Sequence, residues 1–380
     1  MKGPLAGLKV VELAGLGPAP FCGMVLADLG ATVIRVDRAV SVVGGHTDST
    51  RSDLLNRGKQ SIGLNLQSSD AADIALQLVA EAEAIFEGFR PGVAERLGVG
   101  PSQCLARNKA LVYGRMTGWG QEGPYSAMAG HDIDYVAVSG VLDAIGPSER
   151  PIPPLNLVGD FGGGGMLLAF GILAAVLAAR ESGLGQVVDA AMVDGSAVLS
   201  AMQHSMMAAG EWQTARESNL LDGGAPFYTT YECADGRHVA VGALEPQFYA
   251  TLLEGLGLDG ADLSPQSDRS GWPGLREIFA SQFLQKTRDE WGEHFSGTDA
   301  CVAPILSMSE APSHPHNVAR RTFVDANGLT QPGPAPRFSE TSLDAPRAPV
   351  APGADTDSIM GSLGYSPDQI VMLRRSGTIA

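Results

Sequence analysis

The stretch Lys9–Arg38 reads KVVELAGLGPAPFCGMVLADLGATVIRVDR. Lys9-Val10-Val11-Glu12-Leu13 is a short apolar run of the kind that forms a buried strand. Gly15-Leu16-Gly17-Pro18-Ala19-Pro20 is turn chemistry, Phe21 to Leu29 reads as a helix, and Ala31 to Val36 reads as a second strand ending at Asp37-Arg38. Strand, tight turn, helix and strand make a βαβ unit, and such units build a parallel sheet in an α/β domain.

The pattern continues outward from this unit. Ser69 or Asp70 caps a helix running to about Glu83, Ala84-Ile85-Phe86 is a strand, and Glu87-Gly88-Phe89-Arg90-Pro91-Gly92 is the loop after it. Leu111-Val112-Tyr113 leads into the glycine-rich loop Thr117-Gly118-Trp119-Gly120. Gly130 to Gly165 is rich in loop residues. Met166 to Ala179 is a helix apolar nearly all round and so expected to be buried. Val187 to Ala190 reads as a strand and Gly195 to Ala208 as a helix. After about Trp212 the texture changes. Phe227–Cys233 and His238–Val241 form a hairpin about Asp235-Gly236, followed by helices near Glu245–Leu256, Leu275–Phe283 and Thr287–Phe295, which together read as a smaller second domain. Gly328 to Asp357 is proline-rich and expected to run extended over the surface. Ser366, Pro367 and Gln369 are a capping-box start for a last helix reaching about Arg375.

The 380 residues leave room for two domains, and 44% hydrophobic with 18% charged residues suits a globular protein with a sizeable core. A formal net charge of −16 argues against a nucleic-acid partner and an anionic membrane surface. It leaves room for a small anionic ligand held by a few local arginines. Cys22, Cys104, Cys233 and Cys301 have neither metal-ligand spacing nor the density of a disulfide framework, so no metal site is expected. Met1-Lys2-Gly3-Pro4 contains no apolar signal core, and Met166–Ala179 is too short to span a bilayer. The expected location is cytoplasmic.

Six features bear on chemistry. The first turn departs from the dinucleotide fingerprint, because Pro20 stands where its third glycine belongs, although Asp37 sits about where the ribose acid is found. Arg35, Arg38, Arg57, Arg90 and Arg96 fall at strand ends or in loops, where they either grip phosphate or are solvated surface groups. Gly130-His131-Asp132-Ile133-Asp134-Tyr135 packs an imidazole, two carboxylates and a phenol together, so His131 is either a proton-transfer group or a structural histidine. In Asn156-Leu157-Val158-Gly159-Asp160-Phe161 an acid precedes the glycine run 162–165, so Asp160 is a base beside helix-terminal amides or a helix cap. Glu245, before Pro246, reads as a helix-cap acid, and Met192, Met202, Met206 and Met207 lie on or near one helix as core or acyl-pocket lining.

Taken together, several of these segments carry a resemblance. Gly130–Tyr135 and Pro153–Gly164 resemble the α-methylacyl-CoA racemase group of the class III (CaiB/BaiF-type) CoA-transferase family. Leu5–Leu13, Asn56–Lys59, Gly185–Met192, Asp222–Pro226 and Leu363–Tyr365 also look like this family, so the resemblance spans nearly the whole chain. It implies an α/β fold with a Rossmann-like parallel-sheet large domain and a smaller α+β domain, in an interlaced homodimer. The large domain would comprise 1–200 and a return segment 331–380, with the small domain and its linkers at 201–330.

The resemblance further implies an enzyme of lipid and fatty-acid metabolism that inverts the α-carbon of 2-methylacyl-CoA thioesters through an enolate. No cofactor is implied, because CoA is part of the substrate. His131 and Asp160 match the acid/base pair, and Glu245 matches an acid that pairs with the histidine across the dimer. Arg38, Leu64, Asn65, Leu66, Gln67, Gly88, Phe89, Arg90, Arg96, Gly130, Asp132, Ile133, Asp134 and Tyr135 match CoA-contacting segments. Two other readings stand beside this one: a CoA-transferase using Asp160 as nucleophile, and a non-catalytic acyl-CoA-binding protein. His131 favours the racemase, since the transferases typically lack that histidine. Two departures are visible: Asp134 replaces the usual asparagine beside the histidine, and Gln67 replaces a lysine common in related racemases.

Overall fold

The computed structural model describes residues 3–43 and 51–380. Met1 and Lys2, which head the segment read for a signal core, lie outside the described residues. The chain divides into two compact units, one of residues 1–139, 155–200 and 318–380 and one of residues 140–154 and 201–317.

The larger unit holds a parallel sheet whose strands are β1 (Lys9–Leu13), β2 (Thr32–Arg38), β3 (Gln60–Leu64), β4 (Ala84–Glu87), β5 (Val112–Thr117) and β6 (Val187–Ala191). Their order is β3-β2-β1-β4-β5-β6, so the winding reverses between β1 and β4. In such sheets the crevice at the carboxyl ends of the two strands flanking the reversal is where ligands bind. The βαβ unit read from Lys9–Arg38 is present. Its helix α1 (Pro18–Asp28) starts earlier than expected, because Pro18 and Pro20 occupy the first turn, where a missing N–H is no loss.

Short helices α2 (Ala39–Val43), α4 (Val93–Arg96) and α5 (Pro101–Arg107) link the strands around α3 (Ser69–Ala80), whose cap position is Ser68. The sheet is covered on both faces, which explains why its strands read as continuous apolar runs. On one face Ile74 and Leu78 of α3 pack with Ile359, Met360 and Ile370 from the far end of the chain. On the other, Leu26 of α1 packs with Leu168, Ile172 and Val176.

Those last three residues belong to a helix longer than its apolar run. Leu157–Met166 winds as a π-helix and continues without a break into α7 (Leu167–Ser182), with α6 (Asp132–Val138) packed beside its start. Two expectations are corrected here. The continuous 26-residue helix is long and apolar enough to cross a membrane by length and composition, so shortness cannot exclude that. Nor is it buried all round: it packs on one side only, leaving Phe170 70% and Leu177 64% exposed. The expected 195–208 helix is also two helices, α8 (Met192–Leu199) and α9 (Ala201–Ala208), with Met192 buried and Met202 and Met207 exposed.

The smaller unit contains the antiparallel sheet β7 (Tyr228–Glu232), β8 (His238–Gly242) and β9 (Val302–Pro304), with the expected hairpin about Asp235-Gly236. Helices α10 (Pro246–Gly255), α11 (Trp272–Phe283) and α12 (Arg288–His294) cover it around Tyr231, Phe279, Phe283 and Trp291. The chain returns to the larger unit through α13 (Pro315–Arg320) and the hairpin β10 (Phe323–Ala326)–β11 (Leu329–Pro332). Its turn residues Asn327 and Gly328 both have positive φ, the geometry Asn-Gly adopts in two-residue hairpins. The segment expected to be extended thus begins as a paired strand, and α14 (Thr356–Ser362) ends it before α15 (Pro367–Arg375).

Buried charges tie these pieces together. Lys59 and Glu12 pair at 2.6 Å with both side chains fully buried. Arg57 bonds Asp28 at 2.5 Å and the Gln331 side chain and Pro332 carbonyl at 2.8 Å, clamping β11 to the end of α1. Arg35 is buried against Asp37 at 2.7 Å. Arg35 and Arg57 are therefore structural, and neither is available as a phosphate ligand.

Glu87 ends β4 with a buried carboxyl that accepts the Phe89 N–H at 2.5 Å. Burial pushes it up to about 7, against the opposing pull of that N–H and of Arg115. A carboxyl raised in the folded state contributes stability that is full below the unfolded value near 4.5 and is lost as pH rises through about 7. Glu87→Gln keeps the shape and an acceptor. Urea unfolding from pH 5 to pH 8 should show wild type losing up to about 3 kcal/mol more than the variant; parallel profiles would contradict the assignment.

Candidate active site

Two helix starts, 25 residues apart in sequence at Asp132 and Leu157, form the site. At the first, His131 is the N-cap of α6, with extended backbone at φ −129° and ψ 173°. Its N–H donates to the Asp134 carboxylate at 2.9 Å, so Asp134 serves the helix cap. The imidazole is exposed.

Tyr135 is buried and anchors this start. Its hydroxyl donates to the Gly130 carbonyl and its ring meets Trp119 edge-on at 4.8 Å. A Cβ at Gly118 would lie 2.0 Å from that ring and one at Gly130 2.7 Å, so both glycines are needed for the ring to fit. Ile133 points the other way and is 44% exposed.

At the second start, Asp160 lies in the first turn of the π-helix. Its backbone N–H donates to Oδ1 of buried Asp132 at 2.6 Å, and this bond carries Asp160 to the residue next to His131. Oδ2 of Asp132 is buried without a partner among the described residues. Gly159 permits the approach, since a Cβ there would lie 2.5 Å from Asp132 Oδ1.

The Asp160 carboxyl accepts from Asn156 Nδ2 at 3.1 Å. It also faces Gly17 in the β1–α1 turn, where a Cβ would lie 3.2 Å from Asp160 Oδ2. Asp160 therefore sits at the carboxyl end of β1, beside the winding reversal. Half-burial pushes its carboxyl above the ordinary aspartate value. The Asn156 bond opposes that rise, the charge of Asp132 adds to it, and His131 favours the ionised form.

The glycine run is a packing device. A Cβ at Gly165 would lie 2.6 Å from the Pro18 carbonyl oxygen, one at Gly163 2.7 Å from the Ser196 nitrogen, and one at Gly195 1.9 Å from the Gly163 oxygen. Gly163 and Gly165 lie inside the π-helix, whose own i→i+5 ladder uses their amides. The expectation that the run supplies free amides to a developing negative charge is corrected on this ground. Pro18 and Pro20 likewise remove N–H donors from the start of α1, which agrees with the departure from a dinucleotide fingerprint.

The expected CoA-contacting residues fall into two groups. Arg38, Leu64, Asn65, Leu66, Gln67 and Phe89 line a cavity of about 820 Å³ at the carboxyl ends of β1, β2 and β3. Gly130, Asp132, Ile133, Asp134 and Tyr135 form the start of α6. The turn after β1 joins the groups: Leu13 and Ala14 line the cavity, and Gly17 touches Asp160. A second link is the Gly88–Arg90 loop, where Phe89 lines the cavity and the Arg90 charge acts on the Tyr135 phenol. Arg96 is exposed at the end of α4, and Arg38, Arg90 and Arg96 make no ion pair among the described residues. Glu245 belongs to the smaller unit. It holds the cap position of α10, but its exposed carboxylate makes no capping hydrogen bond.

Sequence reasoning missed what Asp132, Asn156 and Gly17 do for Asp160. Gly159 immediately before the acid was the available signal. It also missed Arg374, Gly377, Ile379 and Ala380 in the cavity wall, for which no local signal exists.

The model for CoA-transferase family III matches residues 5–357. The chain is 46% identical over 372 residues to alpha-methylacyl-CoA racemase of Mus musculus, covering 97% of this chain and 96% of that one. It is 44% identical to the Homo sapiens protein of the same name over the same coverage. Among solved structures it is similar to a CAIB/BAIF family protein from Brucella suis, with TM-score 0.80, 25% identity, and 96% and 100% of the two chains covered.

The site geometry sets how Asp160 titrates. Asp132→Asn keeps an acceptor for the Asp160 amide and removes a repelling charge, so the Asp160 midpoint should fall. Asn156→Ala removes the donor that favours the carboxylate, so the midpoint should rise. Carboxyl ¹³C chemical shifts followed against pH read both; movement of the two variants in the same direction would refute this account.

Proposed function

The chain belongs to CoA-transferase family III, and on that premise we infer that it is an alpha-methylacyl-CoA racemase, inverting the α-carbon of 2-methylacyl-CoA thioesters. The observation that carries this reading is the bond from the Asp160 amide to Asp132, which sets the carboxyl of Asp160 and the imidazole of His131 at one site. Near-full-length identity to two racemases supports it.

The reaction is a 1,1-proton transfer. One base removes the α-proton, leaving an enolate on the thioester oxygen, and the conjugate acid on the opposite face returns a proton to the planar carbon. Two groups with different environments are required. His131 is exposed, so its imidazole is open to substrate. Burial, with the charge of Asp132 adding to it, raises the Asp160 carboxyl above its ordinary value, the direction that suits a group which must both accept and donate a proton. Asp134 is occupied at the helix cap by the His131 backbone N–H. The partner subunit's Glu245 would orient the imidazole.

The homodimer is part of the same proposal. Phe170, Leu177, Val198 and Leu199 are each more than half exposed on the larger unit, an apolar surface that a second copy would cover. No separate cofactor is needed for proton transfer. A cytoplasmic location is supported by four cysteines that are all free thiols.

A (2R)-2-methylacyl-CoA incubated in deuterated water should lose optical purity and gain α-deuterium without any second acid. His131→Ala and Asp160→Ala should each lower this rate by about 10²–10⁴-fold. Acceptor-dependent CoA transfer without α-exchange would instead identify a transferase. CoA binding with neither reaction, unaffected by either substitution, would identify a binding protein.

A further inference from the structure

The cavity beside β2 and β3 has a wall that comes from the far end of the chain. Gly377 turns the backbone out of α15 with φ +72°, and the residues after it run back along β3. Asn65 donates its N–H to the Thr378 carbonyl at 2.9 Å, Ala380 donates to the Gly63 carbonyl at 3.1 Å, and Ile379 bridges Leu64 in antiparallel register. Thr378 and Ile379 are 3% and 1% exposed, so this tail is part of the fold.

The charges around the cavity are uneven. Arg38 and Arg374 are the basic side chains in its lining among the described residues, and Asp37 is the acidic side chain there. Asp37 is already matched by Arg35 at 2.7 Å and by the Ser61 hydroxyl at 2.6 Å, so it does not offset them. Arg38 has no ion-pair partner among the described residues. Arg374 is held by Asp357 at 2.7 Å, but that pair is exposed, with side chains 45% and 65% accessible. Such a contact is weak and leaves guanidinium donors for a second anion. The rest of the lining, including Leu13, Val36, Leu66, Phe89 and Ile379, is largely apolar. An apolar slot with two cations suits a flat ring that carries phosphate. Gln67, also in the lining, is neutral and adds no charge.

We propose that Arg374 is a specificity-determining residue for the CoA end of the substrate: together with Arg38 it grips phosphate on the nucleotide, and the tail Gly377–Ala380 forms the wall against which the nucleotide lies. The proposal rests on the acyl-CoA reading above. The distance is suitable, since Ala14 in the cavity and Gly17 at Asp160 are separated by three peptide units, at most about 10 Å. The nucleotide is then anchored at one end of a short turn while the thioester reaches the other.

The test compares Arg374→Ala with wild type on two substrates, a 2-methylacyl-CoA and the same acyl group on pantetheine, which lacks the nucleotide. KM for the CoA thioester should rise about tenfold or more with kcat little changed, as expected for losing charge-assisted hydrogen bonds. Values for the pantetheine thioester should not move. Arg374→Lys should recover part of the effect. Asp357→Ala, which frees the guanidinium, should leave KM equal or lower. Equal losses on both thioesters would reveal a structural role, and no loss on either would remove Arg374 from recognition; both results overturn the proposal. Calorimetric binding of adenosine 3′,5′-bisphosphate needs no turnover. If wild type binds it, Arg374→Ala does not, and no racemisation occurs, the catalytic reading fails alone. If wild type racemises and Arg374→Ala behaves as wild type throughout, this inference fails alone.

Discussion

One hydrogen bond organises the reactive end of this molecule. The Asp132 carboxylate is buried to accept the amide N–H of Asp160, and the rest of the site follows from that. Gly159 has to be glycine to let the carboxylate in, and Tyr135 has to fill the slot between Gly118 and Gly130 so that the start of α6 does not move. A buried carboxylate left without partners is expensive. The two helix starts are thus held together strongly, and His131 and Asp160 inherit their common position from a residue that touches neither side chain's reactive tip. The same carboxylate repels Asp160, so one group both positions the acid/base residue and tunes it.

A second constraint is the reversal of winding between β1 and β4. It opens a crevice at the strand ends, and three turns meet there or beside it: the one after β1, the Gly88–Arg90 loop, and the π-helical start at Asp160. The π-helix fits only because its glycines accept close contact with α1 and α8. Buried ionic pairs secure the surroundings. Arg57 joins residues separated by most of the chain, Asp28 and Gln331, and makes the returning segment a structural part of the larger unit.

Much of the architecture was legible because it is local. The βαβ unit, the Asp235-Gly236 hairpin and the Ser366 capping box depend on contacts a few residues apart, and all are present. The errors came where packing overrides local pattern. Met166–Ala179 was legible as a helix but not as the second half of a longer one, because π-helical winding through five glycines has no local signature. The Asn327-Gly328 turn was in plain view, but prolines on its far side drew the reading toward an extended segment. Arginines were not separable by sequence: Arg35 and Arg57 are sealed in ion pairs, while Arg38 and Arg90 make none among the described residues.

By itself the sequence determined the α/β class, the first strand–turn–helix–strand unit and the candidates His131 and Asp160, since short-range propensity and residue chemistry are enough for those. It left open whether His131 was structural and whether Asp160 was only a cap, because both answers depend on what each side chain faces. Tertiary structure supplied the surroundings: it turned Asp132 inward to hold Asp160, assigned Asp134 to the cap of α6, gave the glycine run to packing, and brought Arg374 and Ile379 to the cavity of Leu64. The physical reason is separation along the chain. A hydrogen bond between residues 28 apart, or a wall built from residues more than 300 apart, leaves no periodicity or spacing to read, and exists only once the sheet has gathered its strand ends together.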